Sequence, residues 1–453
     1  MLNKIFQMLF ASRIRKFDGL PGPTPKFPLG TIGEFKGKNA WEVCADYGTT
    51  YGPCTLIWLG PKPALVLNDA ALIQQVLETD RDNYYKKDPR TALLPVITDK
   101  ALFLANGQEW KTFRSNHAFC QHFFTDWLDQ QVDPISRIVK ERSESWAGST
   151  IDLVPRFKRM AFDAFSQSSI GQQLSDDLYQ RWAHMGNVGS HRMTSLLSFI
   201  PPIRPSFYAA KKQWYETFAK IIQDAVAAPN AESKDLLNTV IAAGFDLSGK
   251  NGPGKIDFTN LYMGGCFSAS SVLITAFYLL AQHPESGEKL KQEVGALPPV
   301  NSLTQTEIDQ CVWLDAVTRE AMRFISPVPL YFRNSNPTQS VKLGNCSLPP
   351  DTMLFITNRH LHREANHWKN ANEFRPERWL DGGVEDDPIG SGHFFPFGLG
   401  PRMCVGWQFA MLYMKTALAT LIQSSELQIL ANQPYEQELY FGVMLPKGLR
   451  AKC

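Results

Sequence analysis

Between Leu261 and Gln282 the chain carries no charged residue. A helix with no charge on any face either crosses a membrane or runs through the middle of a large fold. Gly264, Gly265 and the hydroxyls of Ser268, Ser270 and Ser271 favour the second. They suit a locally opened helix lining a cavity, and the pattern predicts one long central helix from about Phe258 to His283. At 44% hydrophobic and 20% charged residues, the chain builds a large core rather than a disordered polymer. Its 453 residues would ordinarily imply two or three domains. No linker is clean enough to divide it, so the expected architecture is a single large domain, mainly α with small β-sheets. Thr55 to Asn68 alternates around Gly60-Pro61 as a two-stranded hairpin. Asp69 to Gln292 is mostly helical, Ser340 to Asp351 and Met353 to Thr357 read as strands, and Trp368 to Gly392 is irregular. A net charge of +2 gives no case for a nucleic-acid partner or an acidic substrate.

The strongest chemical signal is Phe397-Gly398-Leu399-Gly400-Pro401-Arg402-Met403-Cys404-Val405-Gly406. Gly398, Gly400 and Gly406 allow positive φ and close backbone approach, which a loop pressed against a flat cofactor needs. Trp407 to Leu421 reads as a helix, so Cys404 lies near an N-terminus that favours thiolate over thiol. Arg402 offers paired hydrogen bonds to a carboxylate. The eight cysteines lie at 44, 54, 120, 266, 311, 346, 404 and 453, without the close pairs of zinc sites and too scattered for a disulfide framework.

This stretch resembles the haem-binding signature of the cytochrome P-450 family, the haem-thiolate monooxygenases. The resemblance runs from Pro21 to the Pro446-Lys447-Gly448 turn and is to soluble, bacterial-type members. It implies the cytochrome P-450 fold, with the long central helix over haem b (iron protoporphyrin IX). Cys404 becomes the axial iron ligand, Arg402 a propionate partner and Phe397 a neighbour of the sulfur, with Gly400 and Gly406 shaping the loop. Trp110 and Arg114, at i,i+4, and Arg333 match further propionate donors. Glu320-x-x-Arg323 and Arg378 match a buried three-membered ion network; by spacing alone the first two would be a surface pair worth under about 1 kcal/mol.

The chain departs from the family on the central helix. The usual small-Gly-x-acid-Thr stands here as Gly264-Gly265-Cys266-Phe267-Ser268. Gly264 and Gly265 would widen an oxygen groove and Ser268 would orient distal water, but Phe267 replaces the acid. Cleaving an O–O bond requires protons at the distal oxygen while the thiolate pushes electron density from the other side. The push is in place and the proton supply is altered. The expected function is therefore a haem-thiolate monooxygenase inserting one oxygen atom from O₂ into a small, lipophilic organic substrate, as in secondary metabolism. The alternative is an atypical haem-thiolate enzyme: peroxide-dependent oxidation, hydroperoxide rearrangement, or oxidative coupling or cyclisation. A non-catalytic haem sensor ranks last.

No flavin- or nicotinamide-binding glycine motif occurs, so electrons are expected from a separate donor, a ferredoxin with its reductase or a flavin reductase. Gly249 to Lys255 fits a phosphate-loop spacing, but Ile256 stands where Ser or Thr is needed. Residues 1–17 read as a short amphipathic leader, too short and too charged to span a membrane, and 18–453 as the catalytic domain. A cytoplasmic monomer with weak peripheral membrane contact is expected. Candidate substrate contacts are Asn83 to Phe103, the proline loop Ser198 to Ser206, residues after Pro327, and Phe441 to Leu445.

Overall fold

The computed structural model describes residues 17, 19–35, 38–87, 104–114, 127–194, 205–230, 232–242, 244, 247, 261–262, 264–380, 392–440 and 442–453. The leader before Phe17, Cys120, the proline loop up to Arg204, Gly249 to Lys255, positions 88–103 and Phe441 lie outside the described residues. The fold is mainly α-helical with small sheets, and the chain gathers into two compact, interleaved units. One comprises Met1–Pro89, Val328–Glu373 and Val384–Cys404; the other comprises Arg90–Pro327, Phe374–Gly383 and Val405–Cys453.

The first unit is built on a five-stranded sheet in the order Cys54–Leu59, Lys62–Leu67, Met353–Thr357, Leu330–Ser335, Tyr84–Tyr85. The hairpin expected between Thr55 and Asn68 forms the first pair, in register from Cys54 opposite Leu67 to Leu59 opposite Lys62. Alternation turns Leu56, Trp58, Leu65 and Leu67 toward Ile73, Leu354 and Ile356 in one apolar cluster. Lys62–Leu67 runs parallel to Met353–Thr357, and the other pairs are antiparallel. A separate hairpin, Val341–Leu343 with Cys346–Leu348, occupies the region read as a strand from Ser340 to Asp351.

The second unit is helical. Its centre is Phe267–Gln282, which packs against the helices Leu153–Ile170, Val312–Ile325 and Trp407–Ser424 and the strand Val443–Lys447. The helix expected from about Phe258 to His283, opened locally at Gly264 and Gly265, is interrupted next to those glycines over its described residues. Gly264 and Gly265 are helical, Cys266 is a turn with φ −102°, and the regular helix begins at Phe267. Among the described residues no helix is long and apolar enough to cross a membrane. The uncharged run is buried by protein instead: twelve of the sixteen residues from Phe267 to Gln282 are buried. Pro205, placed in the proline loop by its neighbours, opens the helix Pro205–Ala227, where a missing N–H costs nothing.

Two fully buried carboxylates in this unit pair with arginines. Asp163, fully buried on Leu153–Ile170, accepts from Arg159 Nε at 2.9 Å and faces Arg142 Nη2 at 2.7 Å. Glu320, on Val312–Ile325, is the denser hub. Its Oε1 accepts from Arg323 Nη2 at 2.8 Å, Arg378 Nε at 3.1 Å and the Arg375 backbone N–H at 2.9 Å. Its Oε2 accepts from Arg323 Nε at 3.0 Å and Trp379 Nε1 at 2.9 Å. All three members of the expected network are buried, so the surface-pair magnitude does not apply. Burial pushes the Glu320 carboxyl up, but the two guanidiniums and the Arg375 N–H outweigh it and hold it below the ordinary carboxylate range. A depressed carboxyl stabilises the fold above its unfolded pKa, and that contribution is lost as pH falls through the folded value. Glu320→Gln keeps the shape and strands two buried guanidiniums, so urea unfolding at pH 7 is expected to show a loss of about 3–5 kcal/mol. The difference between wild type and variant is expected to shrink as pH is lowered below the ordinary carboxylate range.

Candidate active site

The cysteine loop is held by its own backbone and by two side chains that carry no motif. Gly398 N–H donates to Phe395 O at 2.9 Å, Met403 N–H to Gly400 O at 3.0 Å, and Cys404 N–H to Phe397 O at 2.8 Å. Gly398 and Gly400 have φ of +80° and +68°, and a Cβ at Gly400 would lie 2.3 Å from the Leu77 carbonyl oxygen. Both tests require glycine at 400. Gly406 corrects the sequence reading: its φ is −97° and it caps Trp407–Ser424, so no positive φ is needed there. No other protein atom lies within 4 Å of where its Cβ would be. Ahead of the loop, Phe395 N–H donates to His362 Nε2 at 3.0 Å, and the Tyr331 hydroxyl reaches Pro396 O at 3.2 Å and Phe395 O at 3.4 Å. Burial, and after it the nearness of Cys404, push the Tyr331 phenol well above its usual range, so it stays a neutral donor. Sequence reasoning passed over Tyr331 and His362; neither spacing nor composition marks them.

Cys404 is exposed, whereas every other described cysteine is buried or half-buried. In the same unit stand Arg402, half-buried and pushed down to about 10 by burial, and Arg333, buried on Leu330–Ser335 with Nη1 donating to Phe332 O at 2.8 Å. An accessible sulfur on a glycine-shaped loop, with two desolvated guanidiniums in that unit, is a donor set that fits an iron porphyrin bearing carboxylates. Phe397 is half-buried, and its carbonyl is the acceptor that fixes Cys404. In the other unit, Trp110 and Arg114 lie on the helix Gly107–Arg114, both half-buried while Lys111 between them is exposed, as i,i+4 spacing requires.

The central helix is where expectation and structure part. Gly264 is exposed, with no atom near the position of a Cβ. Gly265 does not widen a groove: a Cβ there would stand 2.7 Å from Phe165 Cε2, so its missing side chain is filled by that ring. Ser268 is partly exposed, and its hydroxyl donates to Gly264 O at 2.9 Å. Ser270 and Ser271 line no cavity. Both are fully buried, Ser270 donating to Phe157 O at 3.1 Å and Ser271 to Met444 O. Val443, Met444 and Leu445, read as substrate contacts, are likewise buried core.

Phe267 faces inward, 1% exposed. Its ring stacks on Trp182 at 4.2 Å with 19° between planes, and meets Tyr440 edge-on at 4.7 Å. The Lys158 ammonium lies 3.3 Å from the Tyr440 ring centroid and 5.1 Å from that of Phe267. Burial pushes Lys158 down to about 8 against the pull of Glu438. The residue in the acid's place is thus one wall of an aromatic box around a buried cation. Lys158 on an amphipathic helix looks in sequence like any solvated lysine.

The chain as a whole has many relatives among known proteins. The family model "Cytochrome P450" matches residues 20–452. The chain is 26% identical to cytochrome P450 3A6 of Oryctolagus cuniculus over 436 residues, 90% of this chain and 85% of that protein. It is 26% identical to cytochrome P450 71A26 of Arabidopsis thaliana over 437 residues, 90% of this chain and 87% of that one. In structure it resembles the cytochrome P450DA heme domain, with a TM-score of 0.81, 18% identity and 96% of each chain covered. With a family match running from one end of the described body to the other, the chain belongs to the cytochrome P450 family, haem-dependent oxidoreductases of the monooxygenase type.

Proposed function

We propose that this enzyme inserts one oxygen atom from O₂ into a small, lipophilic organic substrate, with electrons delivered by a separate ferredoxin or flavin reductase. We place it in the cytoplasm as a monomer with weak peripheral membrane contact. The observation that carries the reading is Cys404: the one exposed sulfur among the described cysteines, held by Phe397 O on a loop that only glycine can close at position 400. Haem, when bound, supplies the capacity to bind and activate O₂. The chain's own residues do the rest. Cys404 would ligate the iron as thiolate. Arg402, Arg333, Trp110 and Arg114 would hold the propionates by charge and hydrogen bonding. Tyr331 and His362 fix the loop's approach by bonding the residues ahead of it. Ser268 would hold water on the exposed side of the central helix through its lone pairs, because its hydrogen is engaged by Gly264 O.

Phe267 favours one second reading. With no ionisable side chain at that position, a chemistry needing fewer delivered protons is served by the same fold: peroxide-dependent oxidation, hydroperoxide rearrangement, or oxidative coupling or cyclisation.

Four outcomes are expected. Cys404→Ser loses the thiolate-type Soret band of the reduced, CO-bound protein, and Gly400→Ala loses haem content at purification. A wild-type protein without that band would overturn the haem-thiolate assignment. Ser268→Ala lowers O₂-dependent turnover about tenfold or more while the substrate-induced spin shift is kept, since general acid–base terms are worth about 10²–10⁴; unchanged turnover removes Ser268 from the proton path. Turnover under ¹⁸O₂ with a surrogate redox pair puts label in the product, and unlabelled product would select the second reading.

A further inference from the structure

Apart from the cysteine loop and the central helix, the described residues hold one cluster of metal-ligating side chains: Glu364, His367 and His393. Their donor atoms all lie within 4.8 Å of one another. Glu364 Oε2 is 3.9 Å from His367 Nε2, and the two imidazoles stack with centroids 3.4 Å apart and planes 30° apart. A tight turn creates the first half of the set. The Glu364 carbonyl accepts from His367 N–H at 3.1 Å and Trp368 N–H at 3.0 Å, which brings the side chains of 364 and 367 to one side. His393 comes from the segment running into the cysteine loop.

The two segments are locked together independently of these three donors. His362 Nε2 accepts the Phe395 N–H at 3.0 Å, and its ring lies 5.1 Å from that of Phe394. Trp368 Nε1 donates to Leu361 O at 2.7 Å while its ring meets Phe394 edge-on at 6.3 Å. The donors are therefore presented by a preorganised frame, which lowers the entropic cost of gathering them around an ion.

We propose that Glu364, His367 and His393 form a divalent-metal site, with zinc the fitting ion, that clamps the turn after Leu361 to the segment leading into the cysteine loop. Two imidazoles and one carboxylate are the donors of a borderline transition metal, whereas calcium and magnesium take oxygen. Three protein ligands leave a fourth tetrahedral position for water. Bonds of about 2.1 Å around tetrahedral zinc bring ligand atoms to roughly 3.4 Å from one another, so atoms at the outer 4.8 Å must close by up to about 1.4 Å. The lone pairs of two stacked rings run side by side, and one ring must turn for them to converge. His367 has the room: its side chain is 38% exposed, while His393 is buried.

Zinc titration of the untagged holoenzyme by calorimetry, in a buffer that does not chelate, tests the site. One Zn²⁺ per chain is expected, with affinity weakened at least about tenfold in His367→Ala and in Glu364→Gln. The thermal midpoint is expected to rise with Zn²⁺ in wild type and to stay flat in both variants. Each variant's haem-thiolate CO spectrum reports that it is folded, and having two substitutions keeps the test available if one of them is lost. Wild type and both variants taking up zinc equally would mean an adventitious ion only, and absence of uptake by wild type would remove the site altogether.

Discussion

The helical unit depends most on the buried carboxylate of Glu320. Five donors converge on its two oxygens, two of them from Arg323 and the others from Arg378, the Arg375 backbone and Trp379. Desolvating that many polar atoms is unfavourable unless each finds its partner, and the arrangement is tolerable only as a whole. Its members come from a regular helix and from an irregular segment that has little secondary structure of its own. Phe374 to Leu380 is thus located by polar bonds where a sheet or helix ladder would otherwise do it. Asp163 is a looser counterpart: its Oδ2 meets both Arg142 and Arg159, linking Val132–Glu144 to Leu153–Ile170, but burial outweighs them and pushes its carboxyl above the ordinary range. Together they explain how a mainly apolar interior fixes which helix lies where, something nondirectional burial does poorly.

The sheet-containing unit meets a different constraint. A loop that presents an exposed sulfur cannot be stabilised by burying it, so its shape must come from the backbone and from what lies behind. Positive φ at Gly398 and Gly400 sets the turn, the Leu77 carbonyl fills the space a side chain would take at 400, and Phe397 O holds the cysteine's N–H. Tyr331 and His362 then bond the residues ahead of the turn, and both belong to segments anchored by the sheet. Rigid scaffold and reactive loop are separate parts here, as they are wherever chemistry sits on a connection.

What could be read beforehand follows from where the information resides. Alternation from Thr55 to Asn68 and the glycines at 398 and 400 are local and appear as read, whereas Gly406 has a negative φ and needs no glycine on that ground. The Glu320–Arg323–Arg378 network was legible only through resemblance, because nothing in an i,i+3 pair says it is buried. Residues on the uncharged helix could not be sorted by face. With every side apolar or small, periodicity had no polar stripe to mark, and Gly265, Ser270 and Ser271 were assigned to a cavity when Phe165, Phe157 O and Met444 O occupy those sides. Local opening was expected from Gly264 and Gly265, but the irregular residue is Cys266, which carries no helix-breaking signal of its own. Lys158 was missed for the opposite reason: a charged residue is presumed solvated, and only packing puts it among rings.

The same sorting by face bears on what Phe267 means for the reaction. Its ring belongs to a packed wall with Trp182 and Tyr440, so phenylalanine, where the family usually has an acid, makes a stacking contact beside a buried lysine. The exposed side of the helix keeps one hydroxyl, Ser268, with its hydrogen on Gly264 O. Turning that hydroxyl toward water means giving up one ordinary hydrogen bond, about 0.5–1.5 kcal/mol, or roughly two- to tenfold in rate. A missing general acid in a site that had relied on one is worth about 10²–10⁴. The serine's engagement is therefore a small obstacle to ordinary oxygen insertion. On the proposed function a proton path along the exposed side runs past Gly264 and the lone pairs of Ser268, whereas position 267 lies in the packed wall.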